Sequence, residues 1–451
     1  MKAITSLVLA ATLAVPAHPA SNAIADQIRT IIGNNRGLDG PGCVIGVLKG
    51  GKEFLVVADG AADIAAKKPL DADTQIYTAS VAKQFTALAI AQLVVTKKIG
   101  LDDDIRKYLP EMPQYRSVVT VAMLLHHTSG IRDMLYLGTY AGYETSAGVS
   151  RADALQLVSS QSDTVFVPGT QHRYSNSGYL LLSEIVARVS GVSFADYMQK
   201  KVFAPMGMSR TRVLAGARSG DANAAHGYVP DGAGFRLADT HPFYGGAGGA
   251  VTTISDLAKY DYDINVAHVV WTPAIAKIML APGKLADGTP AARDDRTYAG
   301  GLSLNGPWIQ HGGAGEGFKN MVAWLPGGEL SVHVLCNNGA VVPSAVAEQV
   351  VDALGGYPTL RPATPAFAGR YASDALPVIY TLTPNGEARV ILEIAPRPGG
   401  PGHRRVVELS KGPDGSFTAK GFHILLDTDQ HGFLLGQDRD RAGLLHFDRI
   451  D

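Results

Sequence analysis

The stretch TASVAKQF, residues 78–85, places a serine hydroxyl and a lysine amine three residues apart, directly before a long apolar segment. The residues after the lysine, QFTALAIAQLVV, carry no charge. They predict a helix over residues 80–97 that is apolar nearly all round and therefore buried, ending at KKIG with lysines and a glycine. Residues three apart share a helix face, so Lys83 is expected beside Ser80.

This pair of side chains has the chemistry of an activated nucleophile. The free N–H groups and the dipole at a helix start favour negative charge, which suits an oxyanion developing next to a serine. Apolar neighbours would lower the pKa of Lys83, so that it could take a proton near neutral pH. Ser-x-x-Lys occurs once in the chain. On this motif alone, a lysine that reaches solvent beside an incidental serine is the favoured interpretation.

A second motif lies in PGTQHRYSNSGY, where Tyr174-Ser175-Asn176 follows a Pro-Gly turn and precedes a predicted helix. Taken by itself, it is typical of a capped loop. If it lies near the Ser/Lys pair, the Tyr174 phenol could act as general base for the serine and later as acid for the leaving group. Asn176 could donate a hydrogen bond to a substrate carbonyl.

A third motif, His311-Gly312-Gly313-Ala314, ends a predicted strand within WIQHGGAGEGF. The two glycines allow another backbone to approach closely, and an N–H just after them could supply half of an oxyanion hole. The alternative is a strand-end turn with a surface histidine.

Composition excludes several classes of function. The 451 residues are 46% hydrophobic and 18% charged, with a formal net charge of −1, so no basic excess points to nucleic acid. His126 and His127 are adjacent and lack a helical ligand partner, so we interpret them as structural and expect no metal site. No glycine-rich phosphate-binding motif followed by lysine occurs, and no cofactor is expected.

The order of predicted elements favours an α/β architecture. CVIGVLKGGKEFLVV predicts two strands around a turn at Gly50-Gly51. Helical patterns and glycine-rich loops follow, and three strand-like runs come late: GPWIQHGG, FKNMVAWLP and ELSVHVLCNN. Strands at both ends with helices between them suggest one sheet closed by the chain's return. After residues 355–365, short alternating runs separated by Asn385-Gly386 and Asp414-Gly415 predict a small antiparallel β-barrel or sandwich.

The three motifs, in this order, resemble those of the serine β-lactamase-like superfamily of penicillin-recognising acyl-transfer enzymes, and within it the class C-like branch. The supporting stretches KKIGLDDDIRKYLPEMP, MLLHHTSGIRD and GGAGGAVTTISDLAKY are similar to that family as well. The resemblance covers roughly residues 40–340.

The resemblance implies a role for each motif residue. Ser80 would be the acylated nucleophile, Lys83 would assist its deprotonation, and Tyr174 would be the acid/base tyrosine. Asn176 would orient the substrate, next to the strand residues His311, Gly312 and Gly313. The backbone N–H groups of Ser80 and Ala314 would form the oxyanion hole.

The family fold implied for this chain is a five-stranded antiparallel sheet flanked by helices plus an all-helical lobe, with the site between them. A small antiparallel β-barrel would follow, similar to the lipocalin-like domains appended to many members. We therefore expect four segments: a signal peptide over residues 1–23, the hydrolase domain over 24–357, a linker over 358–366 and the barrel over 367–451.

His311 departs from the family pattern, because β-lactamases and transpeptidases usually have a lysine there. A histidine is mostly neutral at pH 7, so a fixed cation for a substrate carboxylate is in doubt. This shifts the expected substrate toward an ester or a D-amino-acid amide or peptide. A β-lactamase or DD-carboxypeptidase is the alternative.

The resemblance also implies that Cys43 and Cys336 lie on paired strands, because in the family the first strand pairs antiparallel with the last. They could then be cross-strand neighbours, close enough for a disulfide. Two buried free thiols are the alternative, which the general tendency of cysteine to be buried favours.

The N-terminal residues MKAITSLVLAATLAVPAHPASNA predict a signal peptide, with cleavage near Ala17 or Ala23 and a periplasmic or secreted product. An uncleaved anchor is the alternative. Beyond this segment no apolar run has the length of a membrane span. The expected partner is a small-molecule or peptide substrate, while the oligomeric state cannot be deduced from the sequence.

Two hypotheses about function follow. The first is an exported serine hydrolase that works through an acyl-enzyme at Ser80. The second is a cell-envelope binding protein that kept the fold without useful turnover. The presence of Ser80, Lys83 and Tyr174 together favours the first, since a decayed site would be expected to lose at least one of them.

Overall fold

The structure is a computed structural model of the 451-residue chain. It describes residues 19–33, 36–143, 149–216, 221–239, 245–293, 296–360, 369–373, 376–384, 389–398, 404–411, 416–419, 422–426, 432–436 and 445–450.

Among these residues the helices alternate with loops over most of the chain. They are α1 (Pro19–Ile32), α2 (Lys83–Val95), α3 (Val121–Leu125), α4 (Met134–Tyr140), α5 (Arg151–Ser159), α6 (Asn176–Ser190), α7 (Phe194–Tyr197), α8 (Ile254–Tyr262), α9 (Pro273–Met279) and α10 (Pro343–Leu354). Short 3₁₀ turns occupy Gly37–Asp39, Ala79–Ala82 and Ile105–Lys107.

The strands before the last helix form one large sheet and several small ones. They are β1 (Cys43–Lys49), β2 (Lys52–Asp59), β3 (Ala61–Asp63), β4 (Lys68–Pro69), β5 (Ile76–Tyr77), β6 (Arg212–Val213), β7 (Tyr228–Asp231), β8 (Gly234–Leu237), β9 (Ala250–Thr252), β10 (Ala292–Arg293), β11 (Arg296–Tyr298), β12 (Ser303–Asn305), β13 (Trp308–Ala314), β14 (Lys319–Trp324) and β15 (Ser331–Cys336).

The main sheet is antiparallel and has eight strands in the order β10-β11-β12-β13-β14-β15-β1-β2. The expected number, five, was wrong. The five longer strands, β13, β14, β15, β1 and β2, form the sheet that the sequence indicated. Residues 292–305 add three strands of two or three residues each along the edge of β13. Strands this short show no readable alternation of apolar and polar residues.

Helices cover both faces of this sheet. On one face α1 and α10 pack together, and Ile28 and Val350 join Ile45 and Val334 of the strands in one buried cluster. On the other face α8 packs on β1, where Ile254 lies so close to Gly46 that an added Cβ would meet its side chain at 2.7 Å. The central strands β14, β15 and β1 are therefore buried between two helical layers.

The helix predicted from TASVAKQF is present and buried. The 3₁₀ turn Ala79–Ala82 leads directly into α2, which packs against α6 and α9. The helix ends at Val95 rather than at residue 97, and the chain leaves it through Lys97, whose φ is +58°. The N–H groups of Lys97 and Lys98 return to the carbonyls of Val94 and Leu93 at 2.9 Å. The predicted glycine end is thus replaced by a left-handed lysine.

Cys43 and Cys336 are directly paired residues of β1 and β15. The structure joins them in a disulfide, and neither cysteine of the chain is free. The alternative of two free thiols, which burial tendency favoured, is therefore not what the structure has. Strand pairing rather than composition decides the outcome, since it brings together two residues that are 293 positions apart.

The C-terminal strands form a closed antiparallel barrel. They are β16 (Gly369–Ser373), β17 (Leu376–Pro384), β18 (Arg389–Pro396), β19 (Arg405–Lys411), β20 (Phe417–Ala419), β21 (Phe422–Leu426), β22 (Gly432–Gly436) and β23 (Leu445–Arg449). The predicted turns at Asn385-Gly386 and Asp414-Gly415 lie outside the described residues, but the strands beside them pair antiparallel. Inside the barrel Tyr380 stacks on Phe447, with ring centroids 4.5 Å apart.

The predicted linker and signal peptide are only partly described. Residues 358–360 pack on the first domain, because Trp308 Nε1 donates to the Pro358 carbonyl at 3.0 Å and Leu360 is fully buried beneath the sheet. Residues 361–368 and 1–18 lie outside the described part. Among the helices that the structure describes, no single one is long and apolar enough to cross a membrane, although the bent pair Asn176–Ser190 and Phe194–Phe203 passes that test when taken together.

The disulfide gives a direct prediction. Denatured, unreduced protein should show no thiol that reacts with Ellman's reagent, and reduced protein should show two. The Cys43→Ser variant, as a control, should show one thiol without reduction. Its free energy of unfolding should fall by about 2–4 kcal/mol because the cross-link is lost. Two reactive thiols in the unreduced native sequence would contradict the disulfide.

Candidate active site

Ser80 lies in the 3₁₀ turn at the start of α2 and is partly exposed, whereas Ala79, Val81 and Ala82 around it are buried. Ala79 has a φ of +46°, in the left-handed region that costs a residue with a side chain about 1 kcal/mol or more. Strain of this kind persists only where the surrounding structure fixes it, and it is concentrated at functional sites. The turn therefore presents the serine hydroxyl while its neighbours anchor the backbone.

Lys83 is fully buried one turn beyond the serine. Its Nζ donates to Ser80 Oγ at 3.1 Å, to Asn176 Oδ1 at 2.8 Å and to the Ala247 carbonyl at 2.6 Å. A protonated lysine has three N–H donors, and all three are used here. The expectation that Lys83 lies beside Ser80 agrees with this geometry, and the alternative of a lysine that reaches solvent does not.

Burial lowers the pKa of Lys83 from 10.5 to about 7, and the Asp133 carboxylate opposes this shift. The other titratable side chains around Lys83 are uncharged at neutral pH. Burial lowers the pKa of His311 to about 4 and that of His127 well below its usual value. It raises the pKa values of Tyr174 and Tyr179. Lys83 is thus able to exchange a proton with Ser80 near neutral pH.

Tyr174 contacts both members of the pair. The Lys83 ammonium lies 4.8 Å from its ring centroid, and the Ser80 side chain is near enough to the phenol to lower its pKa slightly. Because burial raises the pKa of Tyr174, the phenol stays protonated at neutral pH. This favours Tyr174 as a proton donor to a leaving group and Lys83 as the base. The sequence alone left both roles open to Tyr174.

Asn176 is oriented by a residue that the sequence analysis did not single out. Asp133 Oδ2 accepts from the Asn176 backbone N–H at 2.6 Å and from its Nδ2 at 2.9 Å, which turns the amide oxygen toward Lys83. Asp133 Oδ1 also accepts from Leu135 N–H at 2.8 Å and caps α4. Burial raises the pKa of this carboxyl. The sequence signal available was an aspartate directly before a helix, which indicates a cap but not a partner 43 residues away.

His311 lies in the middle of β13 and is neutral for two reasons. Its Nδ1–H donates to the Gly312 carbonyl at 2.6 Å, which leaves Nε2 to accept from the Tyr298 hydroxyl at 2.9 Å. Burial and the nearby Lys83 lower its pKa to about 4. His311 and Tyr174 line a cavity of about 210 Å³ that also contains Arg296. The histidine therefore supplies no fixed cation.

The end of β13 lies against the turn that carries Ser80. A Cβ on Gly313 would meet the Thr78 carbonyl oxygen at 2.2 Å and Val81 Cγ2 at 3.2 Å, so only glycine allows this approach. Gly312 and Ala314 on either side are exposed. This places the Ala314 backbone beside the turn that carries Ser80, as the predicted oxyanion hole shared with the Ser80 N–H requires.

His127 is structural, but it supports the site directly. Its Nδ1 accepts from the Ser175 N–H at 3.2 Å, and its ring lies 4.2 Å from that of Tyr174. Its φ of +58° shows a backbone held in the left-handed region.

The structure thus brings all the predicted site residues of the three motifs together and adds Asp133, His127, Tyr298 and the Ala247 carbonyl. Among the described residues, no group of three or more His, Cys, Asp or Glu side chains is arranged to hold a metal.

The fold and this constellation define a known class of protein. The family model for beta-lactamase matches residues 29–356, and the chain belongs to that family.

The chain is similar to D-aminopeptidases and to penicillin-binding proteins. A D-aminopeptidase of Cereibacter sphaeroides is 29% identical over 320 residues, which cover 70% of this chain and 60% of that protein. The chain therefore spans about 60% of the length of the curated relatives it matches first. A penicillin-binding protein from Bacillus halodurans superposes with a TM-score of 0.60 at 26% identity, over 72% of this chain and 98% of that one.

A second solved structure extends the likeness to the barrel. The octameric penicillin-binding protein homologue from Pyrococcus abyssi superposes with a TM-score of 0.64 at 23% identity, over 95% of this chain and 99% of that chain. Such a match shows that the whole architecture, including a C-terminal domain, is shared.

The contact between Asp133 and Asn176 gives a prediction on pH dependence. The Asp133 carboxylate raises the pKa of Lys83, so Asp133→Asn should lower it and increase the neutral fraction at a given pH. Asparagine removes the charge but keeps one acceptor oxygen instead of two, so the hydrogen bonds to Leu135 and Asn176 also weaken. The pH of half-maximal labelling, rather than the maximal rate, therefore reports the effect of the charge. The rate at which a fluorophosphonate labels Ser80 should then reach its half-maximum at a lower pH than in the native protein.

The matched control is Asp153→Asn, which alters a partly exposed carboxylate in the capping box at the start of α5. It should leave the pH of half-maximal labelling unchanged. A pH of half-maximal labelling that stays fixed or rises in Asp133→Asn would contradict the assignment.

Proposed function

We propose that the protein is an exported serine hydrolase that forms an acyl-enzyme at Ser80 with an ester or a D-amino-acid type amide or peptide. The observation that carries the proposal is the 3.1 Å contact between Ser80 Oγ and Lys83 Nζ, in surroundings that lower the pKa of Lys83 to about 7. A large fraction of an amine with this pKa is unprotonated at pH 7, so it can act as the base for a serine.

The proposed reaction has two halves. Neutral Lys83 takes the Ser80 proton while Oγ bonds to the substrate carbonyl carbon, and the oxyanion is stabilised by the N–H groups of Ser80 and Ala314. Tyr174 protonates the leaving oxygen or nitrogen as its bond to the carbonyl carbon breaks, and the Lys83 ammonium restores the Tyr174 proton. Water then attacks the acyl-enzyme by the same route, releasing the acid and regenerating Ser80.

The charge around His311 supports the choice of substrate. A neutral histidine in place of a lysine removes the fixed cation that would hold a carboxylate at that position. Esters and D-aminoacyl amides need no such cation, and a D-aminopeptidase is among the relatives. Arg296 lines the same cavity, so carboxylate-bearing β-lactams and D-alanyl-D-alanine peptides belong in the same substrate panel as the alternative.

Export is part of the proposal and rests on two observations. The N-terminal residues MKAITSLVLAATLAVPAHPASNA have the charge, apolar run and small residues of a signal peptide. The Cys43–Cys336 disulfide is of the kind that persists outside reducing compartments.

The proposal predicts the outcome of one substitution. Ser80→Ala should lower hydrolysis of p-nitrophenyl acetate and of a D-alanyl p-nitroanilide at least about a thousandfold, because the nucleophile is lost. It should also abolish covalent labelling by a fluorophosphonate, which peptide mapping should locate in residues 78–85 of the native protein.

The matched control is Ser160→Ala, at the exposed end of α5, which should behave like the native protein. Full activity in Ser80→Ala would refute the proposed nucleophile. Tight binding to cell-wall material without turnover of any ester, amide or β-lactam would favour a binding protein instead.

A further inference from the structure

A second cavity, of about 170 Å³, opens on the side of Tyr174 that faces α4. Its walls are largely apolar. Tyr136, Leu137 and Tyr140 come from α4, and Val165 and Phe166 come from the segment before the Pro-Gly turn. Tyr136 is 49% exposed, Tyr140 76% and Val165 43%. Large apolar side chains that are exposed together around a concavity are typical of ligand-binding grooves.

The two walls are joined by hydrogen bonds to backbone carbonyls. Val165 N–H donates to the Gly130 carbonyl at 2.8 Å, and Arg132 Nη1 donates to the Asp163 carbonyl at 2.8 Å. Gly130 has a φ of +69°, and a Cβ there would meet the Phe166 carbonyl oxygen at 2.5 Å, so the approach depends on glycine. The cavity is therefore built into the fold, and little ordering would be needed for a ligand to enter.

The charged groups beside this cavity have partners in the protein. Arg132 forms an ion pair with Asp163. The Arg173 guanidinium lies over the Phe166 ring, 5.9 Å from its centroid. The Asp133 oxygens accept from the N–H groups of Leu135 and Asn176. The surface left for a ligand is thus mainly aromatic and aliphatic.

The cavity is continuous with the catalytic network. Tyr174 and Asp133 both line it. The Tyr174 ring centroid lies 4.8 Å from Lys83 Nζ, which donates to Ser80 Oγ, and Asp133 accepts from Asn176. A group seated in the cavity would lie against Tyr174 and Asp133, which contact Lys83 and Asn176 of the site.

We propose that this cavity binds an aromatic ring of the substrate, next to the bond that is cleaved. The proposal rests on the proposed function and adds the substrate class: aromatic rather than small acyl or amine groups. The volume fits one ring, since an apolar protein cavity of about 150 Å³ is known to take up benzene. Burial of a ring in such a pocket discriminates by about tenfold or more against a substrate that lacks it.

The test compares two matched pairs of substrates. One places the ring in the acyl part (p-nitrophenyl phenylacetate against p-nitrophenyl acetate), and the other places it in the leaving part (D-alanine benzylamide against D-alanine methylamide). After division by the rate of hydroxide hydrolysis, kcat/KM should favour the aromatic member at least about tenfold in one pair. Val165→Trp, which fills the cavity, should reduce that ratio about tenfold.

The matched control is Val167→Trp, an exposed position, 55% accessible, that is not part of the cavity wall. It should leave the ratio as in the native protein. No preference in either pair, or equal effects of the two tryptophans, would overturn the proposal while Ser80-dependent hydrolysis upheld the proposed function.

A binding experiment tests the proposal even if the protein hydrolyses none of these substrates. That outcome would itself count against the proposed function. Ligand-observed NMR should then show phenylacetamide binding to the native protein and to Val167→Trp but not to Val165→Trp. Absence of binding to the native protein would overturn the proposal.

Discussion

Lys83 carries its amine into the interior, where the three N–H groups of its protonated form meet three acceptors from separate parts of the chain. Ser80 Oγ belongs to the turn before α2, Asn176 Oδ1 to the start of α6, and the Ala247 carbonyl to a glycine-rich loop. Burying an ion costs several kcal/mol unless such partners are in place. The turn, helix and loop that surround the start of α2 are therefore tied to this amine. Burial also lowers its pKa to about 7, as the proposed role of a base requires.

The same burial keeps the tyrosine and histidine neighbours of Lys83 uncharged at neutral pH. Tyr174 stays a phenol because its pKa is raised, and His311 stays neutral because its pKa falls to about 4 and the Tyr298 hydroxyl donates to Nε2. Asp133 is the carboxylate that balances Lys83 among the described residues. A site with one titrating amine and protonated phenols suits acyl transfer to a serine, and it lacks a cation at the position where the family usually has one.

The buried helix, the family and most of the site residues could be predicted from the sequence. The apolar run after Lys83 predicts a buried helix, and the order of the three motifs indicates the family and its site. What was missed depends on contacts between distant positions. Asp133 meets Asn176 across 43 residues, Ala247 contributes a carbonyl that any residue could supply, and the strands added beside β13 are only two or three residues long. The Cys43–Cys336 bond likewise follows from strand pairing, which composition does not reveal.

The most direct measurement is the pH dependence of covalent labelling of Ser80 in the native protein by a fluorophosphonate, from pH 5 to pH 10. Lys83 must be neutral to take the serine proton, so the rate should rise with pH and reach its half-maximum near pH 7, where burial places the pKa of the amine. A rate independent of pH, or one that rises only near pH 10 as for a solvent-exposed lysine, would contradict the account.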